Sequence, residues 1–99
     1  MTRKKRILVA YDVSTESKAG QRRLRQVAQV CCGYGVRVQK SVFECTLTEG
    51  QIARLTAMLV RTIDEAEDSL RVYRLPDDGR GCQVFGVNRQ LDLEGLLFV

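Results

Sequence analysis

The run KKRILVAYDVS, residues 4 to 14, carries a short apolar stretch that stops on Tyr11-Asp12. An aspartate there has two readings. It can be a turn residue, accepting a hydrogen bond from the backbone just ahead, or a carboxylate held at a strand end for chemistry. One strand does not decide between them. The sequence contains no histidine, so the commonest general base is missing, together with every Ser-His or Cys-His pair. Any hydrolytic chemistry must therefore use carboxylates, Arg, Lys, Tyr or a bound metal.

The other reactive residue types are less specific. Cys31, Cys32, Cys45 and Cys82 form no Cys-x-x-Cys pair. A Cys-only zinc site would need all four to converge from poor spacings. The N-terminal run is too short and too soon interrupted to read as a signal peptide. Reduced thiols in a cytoplasmic protein are thus the expectation, with the adjacent Cys31-Cys32 acting as small apolar residues. Asp64, Glu65, Glu67 and Asp68 lie in one short acidic turn without a calcium-loop pattern, and read as solvated. Arg22, Arg23 and Arg25, taken alone, read as a solvated helix face.

The elements that would position these groups follow from periodicity. Residues 6 to 12 are a mostly apolar strand, and 13 to 20 a loop leading into a helix. Leu24, Val27, Ala28 and Cys31 then recur at helical spacing up to a stop near Gly33. On that wheel Lys18, Arg22 and Arg25 point away from the core, and Arg23 sits at the edge of the apolar stripe. Val36 to Cys45 alternates with period two and reads as one long strand, bent midway. Thr48 with Gln51 matches a capping box, and Ile52, Leu55, Leu59 and Ile63 carry the second helix to about Thr62. Strands are expected at residues 69–75 and 82–87, and the apolar tail 91–99 reads as a further strand or docking segment.

The expected fold is α+β: a ferredoxin-like βαββαβ sandwich with an extra C-terminal strand. It forms a single domain over residues 1–99, with its core at about 4–88. A chain of this size buries a modest core, and the sheet face opposite the helices would be bare, so a second copy is expected against it. The formal net charge of +4 is a mild excess favouring polyanions. No long apolar run or basic amphipathic anchor indicates a membrane.

YDVS closing the first strand, RLRQVAQVCCGYGVRVQKSVFEC, and DSLRVYRL resemble the CRISPR-associated endoribonuclease family called Cas two. The likeness runs in order from about Arg6 to about Gly86, and GYGVRVQKSVFEC is its most specific part. The resemblance implies a homodimer in which the aspartate closing the first strand, here Asp12, faces its twin and holds a divalent metal. It implies nucleic-acid-binding arginines at Arg23 and Arg25, which align when the loop STESKAGQ is taken as longer here, and at Arg37. It also implies an aromatic residue at Phe43. Family members are described as metal-dependent nucleases on single-stranded RNA or duplex DNA, and as the central dimer of the integrase complex that captures new spacers.

The implied chemistry is coherent. Mg²⁺ keeps several waters and is usually bound by one or two carboxylates plus substrate phosphate, whereas two close carboxylates resist joint ionisation unless a cation lies between them. Paired Asp12 side chains would thus serve as catalytic groups holding one Mg²⁺ or Mn²⁺, which would activate water for attack on a phosphodiester. Arg23, Arg25 and Arg37 would position phosphates. Tyr11 could stack on a base or seal the interface; for Phe43 core packing is the preferred reading over those two. The alternative function is a non-catalytic DNA-binding dimer that scaffolds the CRISPR integrase subunit. An RNA-recognition module on the same plan would need a K/R-G-F/Y-G/A-F motif, which is missing.

Overall fold

The computed structural model describes residues 3–76 and 80–86. Six elements follow in the order β1 (Lys4–Asp12), α1 (Lys18–Cys32), β2 (Gly35–Gln39), β3 (Val42–Thr48), α2 (Glu49–Thr62) and β4 (Ser69–Leu75). The four strands form one antiparallel sheet in the order β2-β3-β1-β4. This is the ferredoxin-like arrangement, with α1 and α2 on one face.

The burial pattern of β1 alternates along its length. Ile7, Val9 and Tyr11 turn inward and meet Phe43, Cys45 and Leu47 of β3, Val27 and Cys31 of α1, and Ile52, Leu55 and Leu59 of α2. Leu8, Ala10 and Asp12, one residue out of phase, belong to the opposite face, because successive strand side chains point to opposite sides. No element among the described residues covers that face. Val36 and Tyr73 are the large hydrophobic side chains most exposed on it.

Both helix starts are capped. Ser17 accepts from the Gly20 amide at 3.0 Å and opens α1. At α2 the expected capping box is present: Gln51 donates its amide to Thr48 Oγ1 at 3.2 Å, and the Thr48 amide donates to Gln51 Oε1 at 2.9 Å.

Two expectations are corrected. The segment Val36–Cys45 is two strands, not one. The chain turns at Lys40-Ser41, and β2 folds back on β3 with Arg37 opposite Phe43 and a register irregularity between Arg37 and Gln39. Lys-Ser lacks the Gly, Asn or Asp that usually marks a two-residue hairpin turn, and the period-two alternation runs through both arms. Gly35 begins β2 where a Cβ would collide with the Cys45 sulfur and the Glu44 carbonyl, so only a bare backbone can approach there. The second correction concerns residues 82–86, which are irregular and exposed rather than a strand. Gly81 and Gly86 adopt φ of 84° and 81°, values that do not continue a strand; Phe85 between them is 84% exposed. The expected tail strand at 91–99 lies outside the described residues.

Candidate functional site

Asp12 is exposed at the end of β1, opposite Ser69 of β4 in the sheet register. The chain on each side of it is fixed.

On the upstream side, the Tyr11 amide donates to the Ser41 carbonyl at 3.0 Å, across from the hairpin turn. The Tyr11 ring stacks on Phe43 with centroids 6.3 Å apart and planes 24° from parallel. The Arg37 guanidinium carbon lies 5.2 Å from the Phe43 centroid, within cation–π range. Its Nε donates to the Lys40 carbonyl at 2.9 Å and Nη2 to the Tyr11 hydroxyl at 3.3 Å. Burial pushes the Tyr11 hydroxyl above its ordinary pKa, more than the neighbouring Arg37 charge pulls it down, so this phenol remains a neutral donor and acceptor. Phe43 is fully buried; the ring is core and offers no face to a base. Tyr11 is likewise buried against it.

On the downstream side, the Ser14 amide donates to Asp68 Oδ1 at 3.0 Å. Asp68 also accepts from the Asp64 amide at 2.9 Å and from Arg23 Nε at 2.8 Å, both on Oδ2. Arg23 Nη2 reaches Glu67 Oε2 at 3.1 Å. The Asp68 side chain is 0% exposed and that of Arg23 15%. Burial alone would raise the Asp68 carboxyl. Arg23 and the two backbone donors outweigh it and hold the group below the usual aspartate value. The same hydrogen bond from Arg23 to Asp68 raises the arginine.

The acidic turn is therefore not uniformly solvated, as the sequence suggested. Glu65 and Glu67 are exposed, but Asp68 is buried. The one sequence signal for this was the place of Arg23 at the edge of the apolar stripe, where its charge needs a partner at the core boundary.

Arg23 and Arg37 thus each have partners within the chain. Arg25 has none among the described residues: it is exposed on the outer side of α1, together with Lys18 and Arg22. These three sit at i, i+4 and i+7, on one helix face.

A scan against family models matches residues 5–81 to CRISPR associated protein Cas2. The chain belongs to the Cas2 family. It is 52% identical over 92 residues to the CRISPR-associated endoribonuclease Cas2 1 of Moorella thermoacetica, covering 92% of this chain and 96% of that protein. It is 45% identical over 89 residues to the CRISPR-associated endonuclease Cas2 of Halalkalibacterium halodurans, covering 89% and 93%. Among solved structures, Streptococcus pyogenes Cas2 at pH 6.5 superposes with a TM-score of 0.72 at 45% identity, over 82% of this chain and 99% of that one.

One Cas2 chain offers limited means of holding a metal. Among the described residues no group of three or more Cys, Asp or Glu side chains converges. Burial raises Cys31 to about 12 and Cys45 to about 11, so both rest as protonated thiols at neutral pH. Asp12 supplies hard oxygen donors of the kind Mg²⁺ and Mn²⁺ take, exposed on a sheet face that no described element covers. The donor type fits such a cation.

Proposed function

We propose that this protein is a CRISPR-associated endonuclease that hydrolyses phosphodiester bonds, and that it works as a homodimer with the two Asp12 carboxylates together at its centre. The observation that carries this reading is the position of Asp12: exposed, on the sheet face that no described element covers, and fixed through the residues on both sides. A second copy laid against that face would cover Leu8 and Ala10 and bring a second carboxylate to the first. The relatives from Moorella and Halalkalibacterium are named endoribonuclease and endonuclease, which supports a nucleic-acid substrate; RNA and duplex DNA are the two to be tried.

A divalent cation, Mg²⁺ or Mn²⁺, would be held by the paired Asp12 side chains and would supply Lewis-acid activation of water and phosphate. The chain's own residues do the rest. Asp12 presents its carboxylate from a strand end whose backbone is bonded before and after it. Lys18, Arg22 and Arg25 form a cationic row that can follow a phosphate backbone. Spacer acquisition in the cytoplasm, with an integrase subunit as partner, is the setting that family membership supports. Among the described residues no helix is long and apolar enough to cross a membrane.

The cationic row does not depend on Asp12, and this favours a second reading, a scaffold that binds DNA without cutting it. Asp12→Ala separates the two. Wild type and variant are given single-stranded RNA and duplex DNA, with Mg²⁺ or with chelator. Cutting by the wild type alone, and only with metal, supports the nuclease. Equal binding of duplex DNA by both proteins, with cutting by neither, supports the scaffold.

A further inference from the structure

After Asp12 the chain must leave β1 and enter α1 within five residues, Val13 to Ser17. The peptide at Ser14 is held from two directions. Its N–H donates to Asp68 Oδ1, and its carbonyl lies so close to Gly20 that a Cβ there would overlap it. Asp68 immediately precedes Ser69, the residue paired with Asp12 across the sheet. The buried carboxylate therefore ties the outgoing loop to the strand beside Asp12. Arg23 supplies the charge that lets this carboxylate stay buried. Withdrawing the guanidinium to meet a phosphate would strand an uncompensated buried charge, a costly change.

We propose that Arg23 is a positioning residue, acting through Asp68 and the Ser14 peptide to fix the Asp12 carboxylate, and that phosphate contact on α1 belongs to Lys18, Arg22 and Arg25. This rests on the reading of Asp12 as the cation-holding group. Groups that orient a metal-binding side chain from behind typically change metal affinity when removed, without touching the ion. Phosphate contacts have a different signature: they set the salt dependence of nucleic-acid binding.

The test measures both properties on the full-length protein. Mn²⁺ affinity is read by electron paramagnetic resonance, and duplex DNA affinity is read in chelator at several salt concentrations. Arg23→Gln and Asp68→Asn should each weaken Mn²⁺ binding about tenfold and leave the salt slope unchanged, and the double variant should be no weaker than the worse single one. Arg25→Gln should lower the slope by about 0.9 and leave Mn²⁺ affinity alone. Arg23→Lys keeps the charge and loses the planar fork; it serves if Arg23→Gln or Asp68→Asn does not fold, and it too should weaken Mn²⁺ binding.

A lowered slope with intact Mn²⁺ affinity in Arg23→Gln makes Arg23 a phosphate ligand and overturns the proposal. Asp12→Ala distinguishes the other failures. If it abolishes Mn²⁺ binding while the Arg23 and Asp68 variants bind normally, the positioning role fails alone. If it leaves Mn²⁺ binding intact, the metal reading of Asp12 fails and takes the positioning role with it.

Discussion

Arg37 and Tyr11 meet beneath the end of the first strand: the arginine Nη2 donates to the phenol at 3.3 Å while the same guanidinium lies over the Phe43 ring. A charged side chain from the edge strand β2 is thereby built into the wall of the core. Arg37→Ala removes the cation–π contact and the donors to Tyr11 and Lys40 together. It should destabilise the fold by about 1–2 kcal/mol, read as a lower urea midpoint at constant m-value. Arg37→Lys should recover little, because an ammonium cannot lie flat on the ring and donate in two directions at once. Full stability in Arg37→Ala would show that these contacts are incidental.

Acid should probe the Asp68 anchor. Its folded pKa is held below the ordinary value of 3.8, so below neutrality the unfolded chain takes up the proton first. The anchor's contribution is complete above pH values near the ordinary aspartate pKa, and it is lost as pH falls through the lower folded value. Asp68→Asn should therefore be less stable than wild type at neutral pH, and the gap should narrow on acidification below about pH 4. Denaturant midpoints for the two proteins across that range measure it; a gap that is constant with pH contradicts the role of the charge.

The thiols should divide by burial. Cys31 and Cys45 are buried, with pKa values pushed up to about 12 and about 11, and Cys32 is also raised by burial. Cys82 is exposed. In the native protein at mildly alkaline pH, Cys82 should react with a thiol reagent first, and Cys31 and Cys45 should react only after denaturant is added. Rapid labelling of Cys31 or Cys45 would mean that the core opens far more readily than its packing implies.

How much of this was legible beforehand depended on distance along the chain. The capping box of Thr48 and Gln51 and the stripe of Ile52, Leu55 and Leu59 are local patterns, and they read correctly. The turn at Lys40-Ser41 was hidden because its residues carry no turn chemistry and the alternation does not break there. Residues 82–85 have strand composition, but Gly81 and Gly86 on either side take positive φ. The anchor was least legible: Arg23 and Asp68 are 45 residues apart, and nothing local distinguishes Asp68 from its solvated acidic neighbours. Asp12 itself was marked by its place at a strand end. The fixing of its neighbours by Arg37 and Asp68 became visible only when the fold brought four elements together.

The most direct measurement is the stoichiometry of Mn²⁺ binding by the protein in solution, and its dependence on Asp12. A cation shared between paired Asp12 carboxylates requires one ion for every two chains in the wild type and none at that affinity in Asp12→Ala. One ion per chain, or binding that survives Asp12→Ala, would contradict a cation shared between paired Asp12 carboxylates.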